Sequence, residues 1–166
     1  MKEPSTQNAP VITVEGLSIG FRGRAGAWLP VLRDISLSIA AGESMGLVGE
    51  SGSGKSTLAL AMMGYLKTGL SVLGGKVGFA GIDMFAQDRQ ALEKVRGGRL
   101  ALIPQNSGQS LTPTMRVGDQ IAEALRLHSA LPEAQHAARV LNLLTQVRLP
   151  DPAAIARRYP HELSGG

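Results

Sequence analysis

From Gly49 to Thr57 the chain reads Gly-Glu-Ser-Gly-Ser-Gly-Lys-Ser-Thr, and this stretch decides the fold. It contains the pattern G-x-x-x-x-G-K-[ST], in which glycines without a Cβ let backbone N–H groups turn toward phosphate oxygens. The lysine of such a loop brings positive charge to the terminal phosphates, and the next hydroxyl is placed to hold magnesium. The sequence therefore predicts a phosphate-binding loop that uses Gly49, Ser51, Gly52, Ser53, Gly54, Lys55, Ser56 and Thr57.

The residues on either side of the loop support this interpretation. Ser44–Val48 is a short apolar run, which predicts a buried parallel strand. Thr57–Met63 is rich in helix-forming residues, so the positive end of a helix is expected to face the bound anion. An ordinary Gly/Ser turn is the alternative, but it does not account for the strand–loop–helix order.

Composition limits the classes of protein that the chain could represent. It has 166 residues, about one domain, and its 43% hydrophobic content is sufficient for a core. It has no cysteine, which excludes disulfides, thiolate metal sites and a cysteine nucleophile. No apolar run approaches the roughly 20 residues of a membrane span, and the first residues do not resemble a signal peptide. We therefore expect any association with a membrane to be peripheral.

The charge of the chain is basic but dispersed. It carries 17 Lys and Arg against 13 Asp and Glu, for a net charge of +4. A nucleic-acid-binding domain clusters such charge, whereas here the nearest approach to clusters is a set of short pairs: Arg22/Arg24, Arg96/Arg99 and Arg157/Arg158. The pattern favours a solvated basic surface, with no nucleic acid as a partner.

The first hundred residues are predicted to be rich in strands. Residues 1–10 are polar and predict a disordered lead-in. Val11–Phe21 and Leu32–Ile39 predict strands, the second half-buried and antiparallel because apolar and polar residues alternate. Lys67–Gly75 is expected to be a loop, followed by a strand at Lys76–Ala80. The helical turns expected at Arg89–Arg96 precede an apolar strand at Leu100–Ile103.

The last fifty residues are predicted to be helical. One helix is expected from Val117 to His128, a second from Pro132, and a short third one at Ala153–Arg158. The second helix has an apolar stripe of Ala137, Val140, Leu141, Leu144 and Val147. His128 and His136 have no partner at metal-ligand spacing, so both are predicted to lie at the surface.

A second motif carries a resemblance to a known family. The chain ends Leu163-Ser164-Gly165-Gly166, about a hundred residues after the phosphate loop, and this combination resembles the ATP-binding subunits of ABC transporters. Arg158–Gly166 and Leu111–Ile121 are similar to the peptide and nickel importers of that family, although Asn106 stands where that group usually has aspartate.

The resemblance implies an α/β fold: a P-loop NTPase core with an antiparallel β-subdomain and a helical subdomain, incomplete at the C-terminus. It divides the chain into a β-rich core at 11–105 and a helical subdomain at 106–166 that ends in the signature Leu-Ser-Gly-Gly.

The resemblance also implies roles for further residues. Gln105 would contact magnesium and the attacking water, and Phe21 would stack on adenine. Ser164, Gly165 and Gly166 would contact the terminal phosphate bound by a second subunit. The simpler alternatives are a surface glutamine for Gln105 and a core aromatic for Phe21. His161 is expected to fix the approach to the signature without proton chemistry.

The function implied is that of an ATP-hydrolysing motor on the cytoplasmic face of the plasma membrane. ATP and magnesium would be its cofactors. Its partners would be permease subunits, a second ATP-binding subunit and, indirectly, a solute-binding protein. A DNA-repair ATPase with the same motifs fits less well, because such proteins carry long insertions between them.

The family also carries parts that follow the signature: an apolar run ending in Asp-Glu (the Walker B motif), a D-loop and a switch histidine. The 166 residues contain none of these parts. We therefore expect the chain alone to bind nucleotide without hydrolysing it. The alternative function is that of a non-catalytic nucleotide-binding fragment.

Overall fold

The first predicted strand lies inside an antiparallel sheet in the computed structural model, which describes residues 10–24, 26–105 and 110–163. The sheet contains β1 (Pro10–Arg22), β2 (Trp28–Ala40), β3 (Leu70–Phe79) and β4 (Ile82–Asp83), in the order β2-β1-β3-β4. Every neighbouring pair of strands is antiparallel. The predicted antiparallel β-part is therefore confirmed. The loop expected at Lys67–Gly75 is wrong for its second half, because Leu70 pairs with Phe21 and continues β3.

A bulge explains how β1 buries its apolar residues. Val14 and Leu17 are three positions apart, which would place them on opposite faces of a regular strand. The pairing register of β1 shifts between them on β2, and Gly16 has a φ of +57°. This extra residue returns Leu17 and Ile19 to the inner face, where both are fully buried.

The helix α1 (Lys55–Met62) covers this sheet. It packs against β2 and β3, and it buries Leu58 and Ala61. The core of this part of the chain consists of Val14, Leu17, Ile19, Leu32, Leu58, Ala61, Val77, Phe79 and Met84.

Two predictions were wrong: the buried parallel strand at Ser44–Val48 and the apolar strand at Leu100–Ile103. Residues 43–50 have no strand pairing, and Val48 is 95% exposed. Residues 101–104 likewise have none, and Ile103 is 90% exposed. An apolar segment becomes a buried strand only when neighbours accept its backbone hydrogen bonds and cover its side chains. In the described residues no strand pairs with either segment.

The chain divides into two compact units, residues 1–93 and 94–166. The division follows packing alone, so the boundaries inferred from the motifs, 11–105 and 106–166, stay predictions. α2 (Arg89–Val95) straddles the division. The lead-in predicted for residues 1–10 falls outside the described residues, except that Pro10 begins β1.

The second unit contains the predicted helices. α3 (Val117–His128) is followed by a 3-10 turn (Glu133–Gln135), α4 (His136–Gln146) and α5 (Pro152–Arg157). Their core consists of Val117, Val140, Leu144 and Ile155. Among the helices within the described ranges, none is long and apolar enough to cross a membrane.

The apolar stripe of α4 and the position of His136 differ from the prediction. Val140 and Leu144 are buried, but Val147 is 66% exposed because α4 ends at Gln146 and the chain then turns away. His136 is not a surface residue: it is 6% exposed, and its Nε2 lies 2.9 Å from the carbonyl oxygen of Leu131. The 3-10 turn before α4 folds the chain back, so the first helical side chain reaches that carbonyl.

Candidate nucleotide-binding site and helical groove

The phosphate-loop residues form a turn that passes directly into α1. The backbone N–H of Ser53 donates to the carbonyl of Glu50 at 3.2 Å, which closes the turn. The first helical bond follows at once, from the N–H of Leu58 to the carbonyl of Gly54 at 2.9 Å. The free amide groups of the first turn of α1 therefore begin where the loop ends.

The side chain of Lys55 reaches back along the loop. Its ammonium donates to the carbonyl oxygens of Gly49 at 2.7 Å and Glu50 at 2.6 Å. A third, longer contact joins it to Ser53 Oγ at 3.4 Å. An ammonium has three N–H donors, so two are held by short charge-assisted bonds and the third is only weakly engaged. The positive charge is thus fixed at the loop and keeps a donor for an anion.

Gly54 sets the loop against the sheet. It precedes α1 with a φ of +93°, a conformation that glycine adopts without strain. A Cβ at this position would lie 2.6 Å from Cδ2 of Leu32, a buried residue of β2. The absence of a side chain therefore allows the loop to rest on β2, and the sheet fixes its position.

The loop and the first turn of α1 fit a nucleotide phosphate. Ser51, Ser53 and Ser56 are exposed, so their hydroxyls are accessible to a ligand. The positive end of the helix dipole and the ammonium of Lys55 act on the same place. In the described residues no group of three His, Asp or Glu side chains could hold a metal ion. The Ser56 hydroxyl is exposed in the first turn of α1, and its role as a magnesium ligand stays a prediction.

Phe21 lies near the end of β1, between Leu29 on β2 and Leu70 on β3. It is 43% exposed, so one part of the ring packs on the sheet and the rest is open to a ligand. Its role in stacking on adenine stays a prediction. The sheet accounts for its position without any ligand, because aromatic residues favour such cross-strand neighbours.

The other two groups of predicted residues belong to the second unit. Gln105 is exposed in a turn after Pro104, and its contacts with magnesium and water stay a prediction. Ser164, Gly165 and Gly166 lie outside the described residues. Their predicted contact with phosphate is therefore untested.

The segment that leads into the signature is held in a defined conformation. The carboxylate of Glu162 accepts from the backbone N–H of Tyr159 at 2.7 Å, and the N–H of Glu162 donates to the carbonyl of Tyr159 at 3.0 Å. The rings of Tyr159 and His161 are stacked, with centroids 5.8 Å apart and planes 9° apart. Leu163 then packs against the helical core. His161 thus has a packing contact with Tyr159, and its role in fixing the approach to the signature stays a prediction.

A groove lies between α3, α4 and α5, with a volume of about 350 Å³. Small and apolar residues line it: Gly118, Ala122, Ala137, Val140, Leu141, Ala153 and Ala156. Two arginines and one carboxylate complete the lining: Arg116, Arg157 and Asp119. The groove combines an apolar lining with an excess of positive charge. These properties suit a short protein segment that carries apolar side chains and an acidic group.

This groove was not predicted from the sequence. A signal was present, because Gly118 and Ala122 are four residues apart on α3, and Ala153 and Ala156 are three apart on α5. Small residues at such spacing lie on one face of a helix and leave a depression there. Arg116 was also missed, since it precedes the first apolar position of α3 and looks like an ordinary surface residue.

The family model for ABC transporters matches residues 32–166 of the chain. A Brucella melitensis protein provisionally named a peptide import ATP-binding protein is 40% identical over 98% of this chain and 48% of its own length. The oligopeptide transport ATP-binding protein of Lactococcus lactis subsp. cremoris is 36% identical over 94% of this chain and 46% of its own. The chain thus spans about half the length of the curated relatives that it matches.

Solved structures show the same fold. A dimeric ATP-binding cassette in a post-hydrolysis state, bound to ADP and Pi, matches with a TM-score of 0.77 and 22% identity. The match covers 93% of this chain and 63% of that one. A dimeric bacterial ABC transporter cassette gives a TM-score of 0.78 at 23% identity, with the same coverage. The likeness confirms the predicted α/β fold.

Proposed function

The chain belongs to the ABC transporter family, and we propose that it is part of the ATP-binding subunit of a peptide importer. In this role it binds ATP and magnesium at the cytoplasmic face of the plasma membrane, and the subunit couples ATP hydrolysis to transport. The observation that carries the proposal is the loop from Gly49 to Ser56, where Lys55 is already held beside a helix N-terminus. The names of relatives that match nearly the whole chain support peptides as the transported class.

Each site residue has a chemical task in this proposal. The amides of the loop and the ammonium of Lys55 bind the phosphates, and the Ser56 hydroxyl holds magnesium. Phe21 stacks on the adenine, and Gln105 contacts the magnesium ion and the attacking water. Ser56 and Gln105 would hold the magnesium ion, which would supply neutralisation of the charge that develops on the phosphates. Lys55 also stabilises the charge on the phosphates, because its own charge is fixed before the nucleotide arrives.

The proposed partners act on the second unit. Residues 105–149 form the surface that docks on a permease, and the groove between α3, α4 and α5 receives the permease segment. Its small-residue lining lets a backbone approach closely, and Arg116 and Arg157 favour an acidic group on that segment. A second ATP-binding subunit completes the nucleotide site through Ser164, Gly165 and Gly166. A solute-binding protein acts indirectly, through the permease.

Transport is the direct test of this proposal. The relatives are about twice as long as this chain, so the test uses the whole protein as its gene encodes it, assembled with its permease in vesicles. We expect ATP-driven uptake of peptides that Lys55→Ala abolishes. ATP hydrolysis that the permease does not stimulate, or uptake that survives Lys55→Ala, would contradict the proposal.

One observation favours a second candidate for these 166 residues alone, a nucleotide-binding fragment without catalysis. Residues 43–50 lead into the loop yet pair with no strand in the described residues, whereas Gly54 at the end of the loop lies against Leu32 of β2. The fragment is expected to bind ATP but to release phosphate no faster than its Lys55→Ala variant. Turnover that Lys55→Ala removes would show that a carboxylate within these residues orients water.

A further inference from the structure

Arg116 lies where the groove meets the segment that leads into the signature. Its guanidinium carbon lies 5.9 Å from the centroid of the Tyr159 ring, within the range of a cation–π contact. The same residue lines the groove between α3, α4 and α5. Arg116 therefore touches both the proposed docking surface and the peptide that precedes Ser164.

The backbone joins the same two places. Arg116 is the N-cap residue of α3, and the N–H of the next residue, Val117, donates to the carbonyl of Arg158 at 2.9 Å. The side chain of Val117 lies in the helical core, against which Leu163 packs. The start of α3 and residues 158–163 are thus held to each other by a backbone bond, by core packing and by the contact between Arg116 and Tyr159.

We propose that Arg116 is a positioning residue that couples occupancy of the groove to the presentation of the signature. The proposal rests on the proposed function, in which the groove receives a permease segment and the signature contacts ATP. An acidic group in the groove competes with the Tyr159 ring for the guanidinium. A change in that contact shifts the stacked rings of Tyr159 and His161. The segment that contains Leu163 and leads to Ser164 shifts with them.

The contact between Arg116 and Tyr159 suits this coupling role because it is weak and exposed to solvent. Arg116 is exposed, and an exposed cation–π contact changes a conformational equilibrium by only a few-fold. A carboxylate in the groove can therefore displace it, whereas a buried ion pair would resist. The guanidinium of Arg116 can contact either the Tyr159 ring or a carboxylate in the groove. These two discrete arrangements are the physical requirement for coupling between sites.

Hydrogen exchange on the whole protein, as its gene encodes it, tests whether Arg116 holds the segment. We expect Arg116→Gln to speed exchange of the amide protons of Tyr159, Glu162 and Leu163, by roughly two- to fivefold. Arg126→Gln, the same change on the same helix but outside the groove lining, is expected to leave these protons unaffected. Unchanged exchange in Arg116→Gln overturns the proposal, whatever the protein transports.

Permease-stimulated ATP hydrolysis tests whether the contact matters for coupling. In the whole protein assembled with its permease, Arg116→Gln and Tyr159→Leu are each expected to lower the ratio of stimulated to basal rate about two- to fivefold. The double variant is expected to be no worse than either single variant, because both remove one contact. Tyr159→Phe keeps the ring and is expected to retain the wild-type ratio.

Arg157→Gln distinguishes the effect of the contact between Arg116 and Tyr159 from the effect of the positive charge of the groove. It removes the other groove arginine without touching Tyr159, so its effect is expected to add to that of Tyr159→Leu. Additive losses for Arg116→Gln and Tyr159→Leu, or equal behaviour of the two arginines, would overturn the coupling role. A wild-type complex that shows no stimulation contradicts the importer proposal instead, and the exchange result then still decides whether Arg116 holds the segment.

Discussion

The ammonium nitrogen of Lys55 lies 2.7 Å from the carbonyl oxygen of Gly49, six residues earlier in the chain. With the bond to Glu50 at 2.6 Å, this contact ties the end of the phosphate loop to its beginning. The charge is held in place by the protein itself, so no side-chain freedom has to be lost there when an anion binds.

Lys55→Ala is expected to weaken ATP binding roughly ten- to a hundredfold. The substitution removes a charge-assisted contact worth roughly 1.5–3 kcal/mol. Titration with a fluorescent ATP analogue measures the dissociation constants of both forms. Lys67→Ala is the control, because Lys67 is an exposed lysine of the same unit with no role in the loop. Equal affinities for wild type and Lys55→Ala would show that the nucleotide binds elsewhere.

The phosphate loop could be predicted from the sequence because its determinants are local. Nine consecutive residues supply the turn, the ammonium and the helix start. The half-buried face of β2 was predictable for the same reason, since Ile35, Leu37 and Ile39 alternate with polar residues. The bulge at Gly16 was not predicted, although the three-residue spacing of Val14 and Leu17 already departs from the two-residue period of a strand.

The features that were not predicted depend on partners that a short sequence pattern does not reveal. Val48 belongs to an apolar run, yet burial requires neighbouring strands that a short pattern cannot reveal. His136 was assigned to the surface because it is a polar residue without a metal partner. Its burial depends on the carbonyl of Leu131, which the 3-10 turn brings within 2.9 Å. The contact of Arg116 with Tyr159 joins residues far apart in the sequence.

Gly54→Ala is expected to destabilise the first unit more than Gly42→Ala does. Both glycines have positive φ, +93° and +76°, so alanine at either position costs about 1–2 kcal/mol in backbone strain. Only at Gly54 would the new Cβ also meet Leu32, at 2.6 Å, which adds about 1–3 kcal/mol of overpacking. Urea denaturation gives both free energies of unfolding. An equal loss in the two variants would show that the loop does not rest on β2.

Arg148→Gly is expected to stabilise the second unit by about 0.5–1 kcal/mol. Arg148 follows the last residues of α4 with a φ of +60°, and the N–H of Leu149 donates to the carbonyl of Leu144 at 3.2 Å. This is the helix ending in which glycine is preferred, since a Cβ is strained there. Arg148→Ala keeps the Cβ and is the matched control. In thermal unfolding, the midpoint temperature of Arg148→Gly should be higher than those of the wild type and of Arg148→Ala. A lower midpoint for Arg148→Gly would contradict the role of backbone strain.

Paired subunits are expected to bring Ser53 of one copy close to Ser164 of the other when ATP is bound. The basis is the proposed head-to-tail pairing, in which the signature of one subunit covers the phosphate loop of its partner. The 166 residues contain no cysteine, so introduced thiols within them have no native competitor. Mixing a Ser53→Cys subunit with a Ser164→Cys subunit ensures that any disulfide between the two positions joins different chains.

The disulfide should form in high yield with a non-hydrolysable ATP analogue and in much lower yield without nucleotide. ATP is expected to lie between the two positions, so it holds the subunits together and sets the distance between the thiols. Ser129→Cys replaces Ser164→Cys as the control, because Ser129 is an exposed serine at the end of α3 and has no proposed phosphate contact. A Ser53–Ser164 crosslink that is insensitive to nucleotide, or one no stronger than the Ser129 control, would rule out a nucleotide site shared between subunits.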